Sequence, residues 1–432
     1  MKKVRLLYNL AFPFVLLALL PSFLLRMIRR GKYRHKFGQR FAIYSPRVLN
    51  KLRRDDNVWV HAVSVGEVLI ALKLISEMKK SDPSLRVVLS TTTSTGFRLA
   101  SRRRTEWLEP IYNPVDFILV AKRAMRIVRP KMMILVEAEV WPNLTAEAKA
   151  QGAKLALVNA RLSPRSESRY RKVKFLTAPL FNQLDVLCVQ EEADAERWKS
   201  LGIAEDRIRL TGSVKFDDAA QSRTPGRDFS AILAELGVPA GAPVLLAAST
   251  HAGEEVILGE IYLRLRTEFP SLFYVCVPRH AERGRQVKEE LEKIGLRVML
   301  RSGETNPPAS PDALIINTTG ELRDVFPVAS VVFIGKSLTA KGGQNPVEAL
   351  AAGKPVIFGR NMQNFASLCD QLVRSRAAIS VADEGELETA IRDCLQDPQK
   401  AATLARRGAE CLAQHRGATQ RTVALLEALR AS

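Results

Sequence analysis

Val58-Trp59-Val60-His61-Ala62-Val63-Ser64-Val65-Gly66-Glu67 opens with a short run rich in Val, bounded by turn residues, as a strand buried on both faces requires. After Gly66 the spacing changes, and Leu69, Ile70, Leu72, Leu74 and Ile75 recur at helical intervals. A buried strand running into a helix is the unit from which parallel sheets are made. The pattern then repeats. Residues 86–90, 132–136, 154–158, 186–189 and 208–211 read as further strands, with a turn at Thr91-Thr92-Thr93-Ser94-Thr95-Gly96 after the first of them. The polar stretch 217–228 carries Pro225 and Gly226 and reads as a linker. Beyond it the alternation restarts at 244–248, 273–277, 297–300, 313–316, 331–334 and 355–358. The expected fold is α/β, with two doubly wound domains in tandem and a cleft between them as the default site.

The expected divisions are a membrane anchor with a basic collar over 1–45, a first domain over 46–218, a linker over 219–228, a second domain over 229–398 and C-terminal helices over 399–432. A chain of 432 residues supports two cores of ordinary size. Five cysteines form no CxxC pair, which suits buried thiols in a reducing compartment better than a disulfide framework or a zinc site.

Charge is distributed unevenly. The net charge is +20, and residues 1–54 contain fourteen Lys or Arg and no acid, which leaves +6 for the remainder. Nucleic-acid binding, which spreads basic residues over a folded surface, is disfavoured by that count. The charge adjoins residues 6–25, a stretch of twenty without Asp, Glu, Lys or Arg. That length matches a bilayer core, whereas Pro13 and Pro21 suit a helix lying in the interface, so both forms of anchor are open. Lys2, Lys3 and Arg5 precede the run, and Arg26, Arg29, Arg30, Lys32, Arg34, Lys36 and Arg40 follow it, so the positive-inside rule puts the rest of the chain in the cytoplasm. The same cluster favours an anionic leaflet.

Residues with chemistry fall just after the strands in both halves. Glu67 lies at a sheet edge and a helix N-terminus, where its ionised form is favoured and ready to take a proton. Ser64-x-x-Glu67 is also a capping box, which needs no chemistry, and one residue can serve both roles. Glu137-Ala138-Glu139-Val140-Trp141-Pro142-Asn143 sets two carboxylates beside a Trp, able to orient sugar hydroxyls or simply to form a packed loop. Arg161 and Arg165, with Arg169, Arg171 and Lys172, form a basic loop that is either a solvated face or a match for phosphate oxygens. In the second half Ser249, Thr250 and His251 follow one strand and Arg279 and His280 the next, with Arg279 placed for an anionic ligand. Gly335-Lys336-Ser337-Leu338 and Gly342-Gly343-Gln344-Asn345-Pro346-Val347-Glu348 read as a glycine-rich turn entering a helix with Pro346 at its first position. Free N–H groups there are expected to cradle a phosphate. Glu348 is expected to accept hydrogen bonds from a ribose. No HxH or HxxxH spacing suggests a metal.

Taken together, the segments 61–67, 137–144, 159–163, 212–217, 248–255, 277–283, 335–348 and 362–365 resemble the Kdo (3-deoxy-D-manno-octulosonic acid) transferases of lipopolysaccharide synthesis, glycosyltransferase family 30. The resemblance implies a GT-B fold, CMP-Kdo as donor, the lipid A precursor as acceptor, inversion at the anomeric carbon and no cofactor. It implies that Glu67 is the general base. Ser249, Thr250, Arg279, Gly335, Ser337, Gly342, Gly343, Asn345 and Glu348 match the donor side. Ser64, Gly66, Thr93, Glu137, Glu139, Arg161, Arg165 and Lys215 match the acceptor side. The chain departs from the family pattern at Ala138, Ser213, Lys336, Lys341 and Gln344, none of which is Glu67 or Arg279. A GT-B enzyme using a UDP-sugar on another lipid-linked acceptor, or a noncatalytic membrane-bound adaptor, are the alternatives.

Overall fold

Side-chain alternation along β1 (Asn57–His61) explains why its sheet is covered on both faces. Val58 and Val60 enter one apolar cluster, with Val68, Leu74 and Ile75 of the helix Val65–Ser81. Trp59 enters the opposite cluster, with Ala121, Ala124 and Met125 of the helix Ile118–Val128. The computed structural model describes residues 2–30, 36–217, 226–303 and 308–432. The chain forms two units, Met1–Asp217 with Gly417–Ser432, and Asp218–Arg416.

The first unit adds β2 (Arg86–Thr91), β3 (Leu108–Tyr112), β4 (Met132–Val136), β5 (Lys154–Ala160), β6 (Val186–Val189) and β7 (Ile208–Leu210). Its sheet has the order β3-β2-β1-β4-β5-β6-β7, with every pair parallel. The second unit contains β8 (Val244–Thr250), β9 (Phe273–Pro278), β10 (Val298–Leu300), β11 (Ala313–Ile315), β12 (Val331–Ile334), β13 (Val356–Gly359) and β14 (Ile379–Val381). Its order is β10-β11-β9-β8-β12-β13-β14, again parallel throughout. Each sheet has a central switch point, between β1 and β4 and between β8 and β12, and in the second sheet β10 and β11 are also exchanged at the edge. Such switch points open a crevice at the carboxyl ends of the strands.

Two strands lie outside the sequence pattern, β3 and β14, and both are sheet edges. Pro110 sits inside β3, which an edge tolerates because only one side of the strand needs N–H donors. The residues expected as one closing segment, 399–432, divide between the units. The helix Pro398–Ala413 belongs to the second, while Ala418–Ala431 returns to the first and packs on Val65–Ser81. Asp217, buried where the chain leaves the first unit, accepts from the backbone N–H groups of Gly417 and Thr419 at 2.7 and 3.0 Å where the chain re-enters it. Most of the expected linker, 219–225, lies outside the described residues; Gly226 and Arg227 donate their N–H groups to Asp324.

Residues Lys2–Arg30 form one helix. Leu6, Leu10, Phe14 and Leu17 share one of its faces and are more than half exposed. The opposite face docks on the first unit through an Arg5–Glu147 ion pair, reciprocal Asn9–Asn143 hydrogen bonds at 2.9–3.0 Å and a Phe12–Phe117 ring contact. Among the described residues no helix is long and apolar enough to cross a membrane. The side chains of Arg26, Arg29 and Arg30, together with Lys32 and Arg34, lie outside the described residues.

Candidate functional site

β1 ends at His61, and the turn that follows holds Glu67 by its neighbours' backbone. The capping box is complete. Ser64 Oγ accepts from the Glu67 N–H at 3.3 Å, and Glu67 Oε1 accepts from the Ser64 N–H at 3.2 Å. Glu67 Oε2 also accepts from the Val63 N–H at 2.8 Å. Val63 is itself clamped, because its carbonyl accepts from the hydroxyls of Thr91 and Thr93 at 3.2 and 3.1 Å. Thr93 additionally caps the helix Ser94–Arg102 through the Gly96 N–H. Glu67 is therefore a nearly buried carboxylate whose two oxygens are fixed, each with a lone pair to spare. No neighbour crowds Gly66, and only Ser64 Oγ lies within 4 Å of the position a Cβ would take.

Glu137 and Glu139 gather beside Glu67 at the mouth of β4. Burial raises the Glu137 carboxyl above its ordinary range, Glu67 adds to the shift, and Lys215 and Arg161 oppose it. Glu139 is likewise raised by burial and then by Glu67 and Glu137. Lys215 is lowered by its own partial burial, with Glu137 pulling the other way. Glu137 adopts φ 64°, an uncommon conformation for a side-chain-bearing residue, so the loop is strained where its carboxylate turns toward the site. Arg161 joins this cluster. Arg165, the second residue of the helix Pro164–Lys172, is exposed and has no ion-pair partner among the described residues.

His61 positions this loop. Its Nε2 accepts from the Trp141 indole N–H at 3.1 Å, so the ring proton sits on Nδ1, which donates to Ser90 Oγ at 2.9 Å. Burial pushes its pKa down to about 4 and keeps the ring neutral. Asn159, at φ 51°, accepts from the Val214 N–H at 3.0 Å and ties the segment carrying Lys215 to β5. His61 read as a residue at a strand end and Asn159 as part of a basic loop; their tethering roles appear only across strands.

In the second unit the expectation of free amides at 335–338 is corrected. Glu254, fully buried at the start of the helix Glu254–Leu265, fills that turn. Its carboxylate accepts from the N–H groups of Lys336 (2.7 Å), Ser337 (3.0 Å), Leu338 (3.1 Å) and His251 (2.9 Å). A tethered carboxylate thus takes the amides that a phosphate would have used. The second glycine segment is also closed on itself. Gly342 donates to Asn361 O and Gln363 Oε1, Gly343 to Lys336 O and Gln344 to Gly335 O. The helix that follows, Val347–Ala351, has five residues, with Pro346 one position earlier than expected and Asn345 Oδ1 capping Val347 N–H at 3.1 Å.

Other expected donor-side residues have structural partners. The Ser337 hydroxyl donates to Ile334 O and accepts from the Gly359 N–H at 2.8 Å. Glu348 accepts from Arg323 Nε at 2.9 Å. Gly335 is required by close approach, since a Cβ there would lie 2.4 Å from Ser249 O. At Gly343, φ 70°, it would meet Met362 Sδ at 2.4 Å. Thr250 is buried, and Ser249 adopts φ 56°. The Arg279 backbone is pinned by its N–H to Thr250 O at 3.0 Å, while its side chain is exposed without an ion-pair partner among the described residues. His251 joins this edge, its pKa lowered by burial and then by Lys336; it contacts His280 edge-on and Gln344 Nε2 at 3.1 Å. The edge can therefore present Arg279, Lys336 and His280 to an anion. Glu254, which lies within the matched segment 248–255, is the buried tether of this edge that the sequence did not single out. Its only signal was a Glu pair, 254 and 255, in one helical first turn.

The chain is similar to known proteins in sequence and in fold. Residues 35–218 match the family model of 3-deoxy-D-manno-octulosonic-acid transferase (kdotransferase). The chain is 33% identical over 384 residues to the 3-deoxy-D-manno-octulosonic acid transferase of Bordetella pertussis, covering 86% of each protein. It is 29% identical over 401 residues to that of Haemophilus influenzae, covering 93% of this chain and 92% of the relative. In fold it resembles crystalline MurG of Acinetobacter baumannii, with a TM-score of 0.53 at 13% identity over 86% of this chain and 99% of that one. Two parallel-sheet Rossmann-like units, ordered as above, are the GT-B architecture. With the family model on the first unit and a relative matched along both, this chain belongs to the 3-deoxy-D-manno-octulosonic acid (Kdo) transferase family and is a glycosyltransferase.

Proposed function

We propose that the enzyme transfers Kdo from CMP-Kdo to the lipid A precursor with inversion, and that Glu67 is the general base. The carrying observation is the Glu67 carboxylate, fixed by the amides of Val63 and Ser64 beside Glu137 and Glu139. A lone pair not used by those amides accepts the proton of the sugar hydroxyl as that oxygen attacks the anomeric carbon and CMP leaves. Glu137 and Glu139 lie close enough to feel the charge of Glu67, and Lys215 with Arg161 offsets part of that repulsion at Glu137. Glu137 and Glu139 orient acceptor hydroxyls, with Ser64, Gly66, Thr93 and Arg165 completing that side. Arg279 meets the donor's anionic groups, and Ser249, Thr250 and the segments ending in Asn345 and Glu348 shape the donor pocket. Glu254 holds the donor turn rigid.

The inner leaflet of the cell membrane, at its cytoplasmic face, is the proposed location. Support comes from the exposed apolar face of the N-terminal helix and from the basic excess of residues 1–54. The docked face favours a helix lying along the surface. Asn143 joins that helix to the segment that follows Glu137 and Glu139, so the acceptor loop is carried by the part nearest the lipid.

The test is transfer by detergent-solubilised protein from CMP-Kdo generated in situ to tetra-acylated lipid A precursor, read by mass spectrometry of the lipid. Wild type gains one or more Kdo masses. Glu67→Ala loses about 10²- to 10⁴-fold in rate, the usual share of a general base, while CMP-Kdo binding persists. Transfer from a UDP-sugar instead, or full activity in Glu67→Ala, overturns the reading.

A further inference from the structure

Between the helices Pro46–Leu52 and Ile118–Val128 of the first unit lies a cavity of about 580 Å³. It is separate from the site at Glu67. Pro46–Leu52 leads into the amino end of β1, and Ile118–Val128 into the amino end of β4, whereas Glu67 and Glu137 follow the carboxyl ends of those strands. A strand of five residues puts about 16 Å between the two edges.

Four arginines line the cavity, Arg53, Arg123, Arg126 and Arg129, and no acid does so among the described residues. None of the four has an ion-pair partner among the described residues; the one hydrogen bond from their side chains is Arg129 Nε to Arg126 O. Leu49, Ile127 and Tyr44 supply apolar wall. Tyr44 is 7% exposed, and its hydroxyl, closed to solvent, has no hydrogen-bond partner. Arg123 is near enough to act electrostatically on that hydroxyl. Each feature alone has an ordinary explanation, since basic residues suit helix C-termini. Together they are a volume suited to a small ligand, four exposed arginines along its rim without ion-pair partners among the described residues, and an unsatisfied buried polar group in its wall. Like charges so arranged repel unless an anion lies among them, and guanidinium forks match phosphate oxygens in pairs.

We propose that this cavity is a second binding site, specific for a phosphate-type anion and, through its apolar wall, for one attached to an apolar carrier. Free phosphate and an acidic lipid headgroup share this chemistry, and the experiment distinguishes them. Full-length protein in uncharged detergent is titrated calorimetrically with inorganic phosphate, dihexanoyl phosphatidic acid and dihexanoyl phosphatidylcholine. The double variant Arg123→Glu/Arg126→Glu and the single variant Tyr44→Phe are titrated alongside, each checked by thermal unfolding.

Saturable binding of the phosphatidic acid, weaker by at least about tenfold in the double variant and absent for phosphatidylcholine, is the expected result and identifies a lipid headgroup. Inorganic phosphate binding as tightly, with the same loss in the variant, supports the site with a free anion as its source. If neither anion binds saturably to wild type, or if both variants bind as wild type does, the proposal is overturned. Should the double variant fail to fold, Tyr44→Phe decides. A several-fold loss of affinity at unchanged thermal stability supports the site, and unchanged affinity removes it.

Discussion

Replacing Glu254 by Gln changes one oxygen to an amide NH₂ and leaves the volume of the side chain almost unaltered. The carboxylate accepts four backbone N–H groups, two on each oxygen, from Ser337 and Leu338 and from His251 and Lys336. A glutamine offers one acceptor oxygen, so at least two of these donors then face an NH₂ group inside a buried turn. A hydrogen bond to a charged group contributes about 1.5–3 kcal/mol, and two lost bonds therefore cost roughly 3–6 kcal/mol. Domain stabilities lie at about 5–15 kcal/mol, so the second unit keeps only part of its margin. For a unit of this size each kcal/mol lowers Tm by about 2–4 °C, giving a fall of roughly 6–24 °C. Urea and thermal unfolding followed by near-ultraviolet circular dichroism measure it, and CMP titration at a temperature where the variant remains folded measures the donor turn. CMP affinity is expected to fall as the turn loosens. An unfolding free energy within about 1 kcal/mol of wild type would refute the reasoning, because it would mean that solvent serves those amides as well as Glu254 does.

Neutral His61 has its pKa lowered from 6.5 to about 4, so the unfolded chain takes up a proton that the folded chain refuses. Its contribution is complete above pH 6.5 and lost as pH falls to about 4, at most about 3 kcal/mol; urea unfolding across that window should show a shallower acid decline in His61→Gln than in wild type. Asn143→Ala removes the buried amide that pairs with Asn9 and Asp116, at a cost of about 1–3 kcal/mol. Hydrogen exchange should quicken in residues 5–12, and transfer to lipid acceptor should fall without change in CMP affinity; unchanged exchange contradicts the docking. Gly335→Ala forces a Cβ to within 2.4 Å of Ser249 O and should destabilise the second unit by more than about 3 kcal/mol, read by denaturant midpoint. A near-neutral Gly335→Ala would show that β8 and β12 can part without loss.

Central strands were legible because each is buried on both faces and so reads as an unbroken apolar run, with β4, β6 and β12 matching residue for residue. β3 was not, since an edge tolerates Glu109 and Pro110 in its midst. Ser64 and Glu67 were legible as a capping box because the interaction is local, three residues apart. The strand-to-helix placement of Glu67, Glu137 and Arg279 followed from the same local alternation.

What tertiary structure alone decided was which polar groups remain available. The amides of 336–338 looked free until Glu254, eighty residues earlier, occupied them. The tautomer of His61 depends on Trp141, and the charge balance at Glu137 on Lys215, each on a different loop. Sequence periodicity reports burial, which is set within one element. Hydrogen-bond satisfaction and charge pairing are set between elements brought together by the sheet, and these decide what the site has left to offer a substrate.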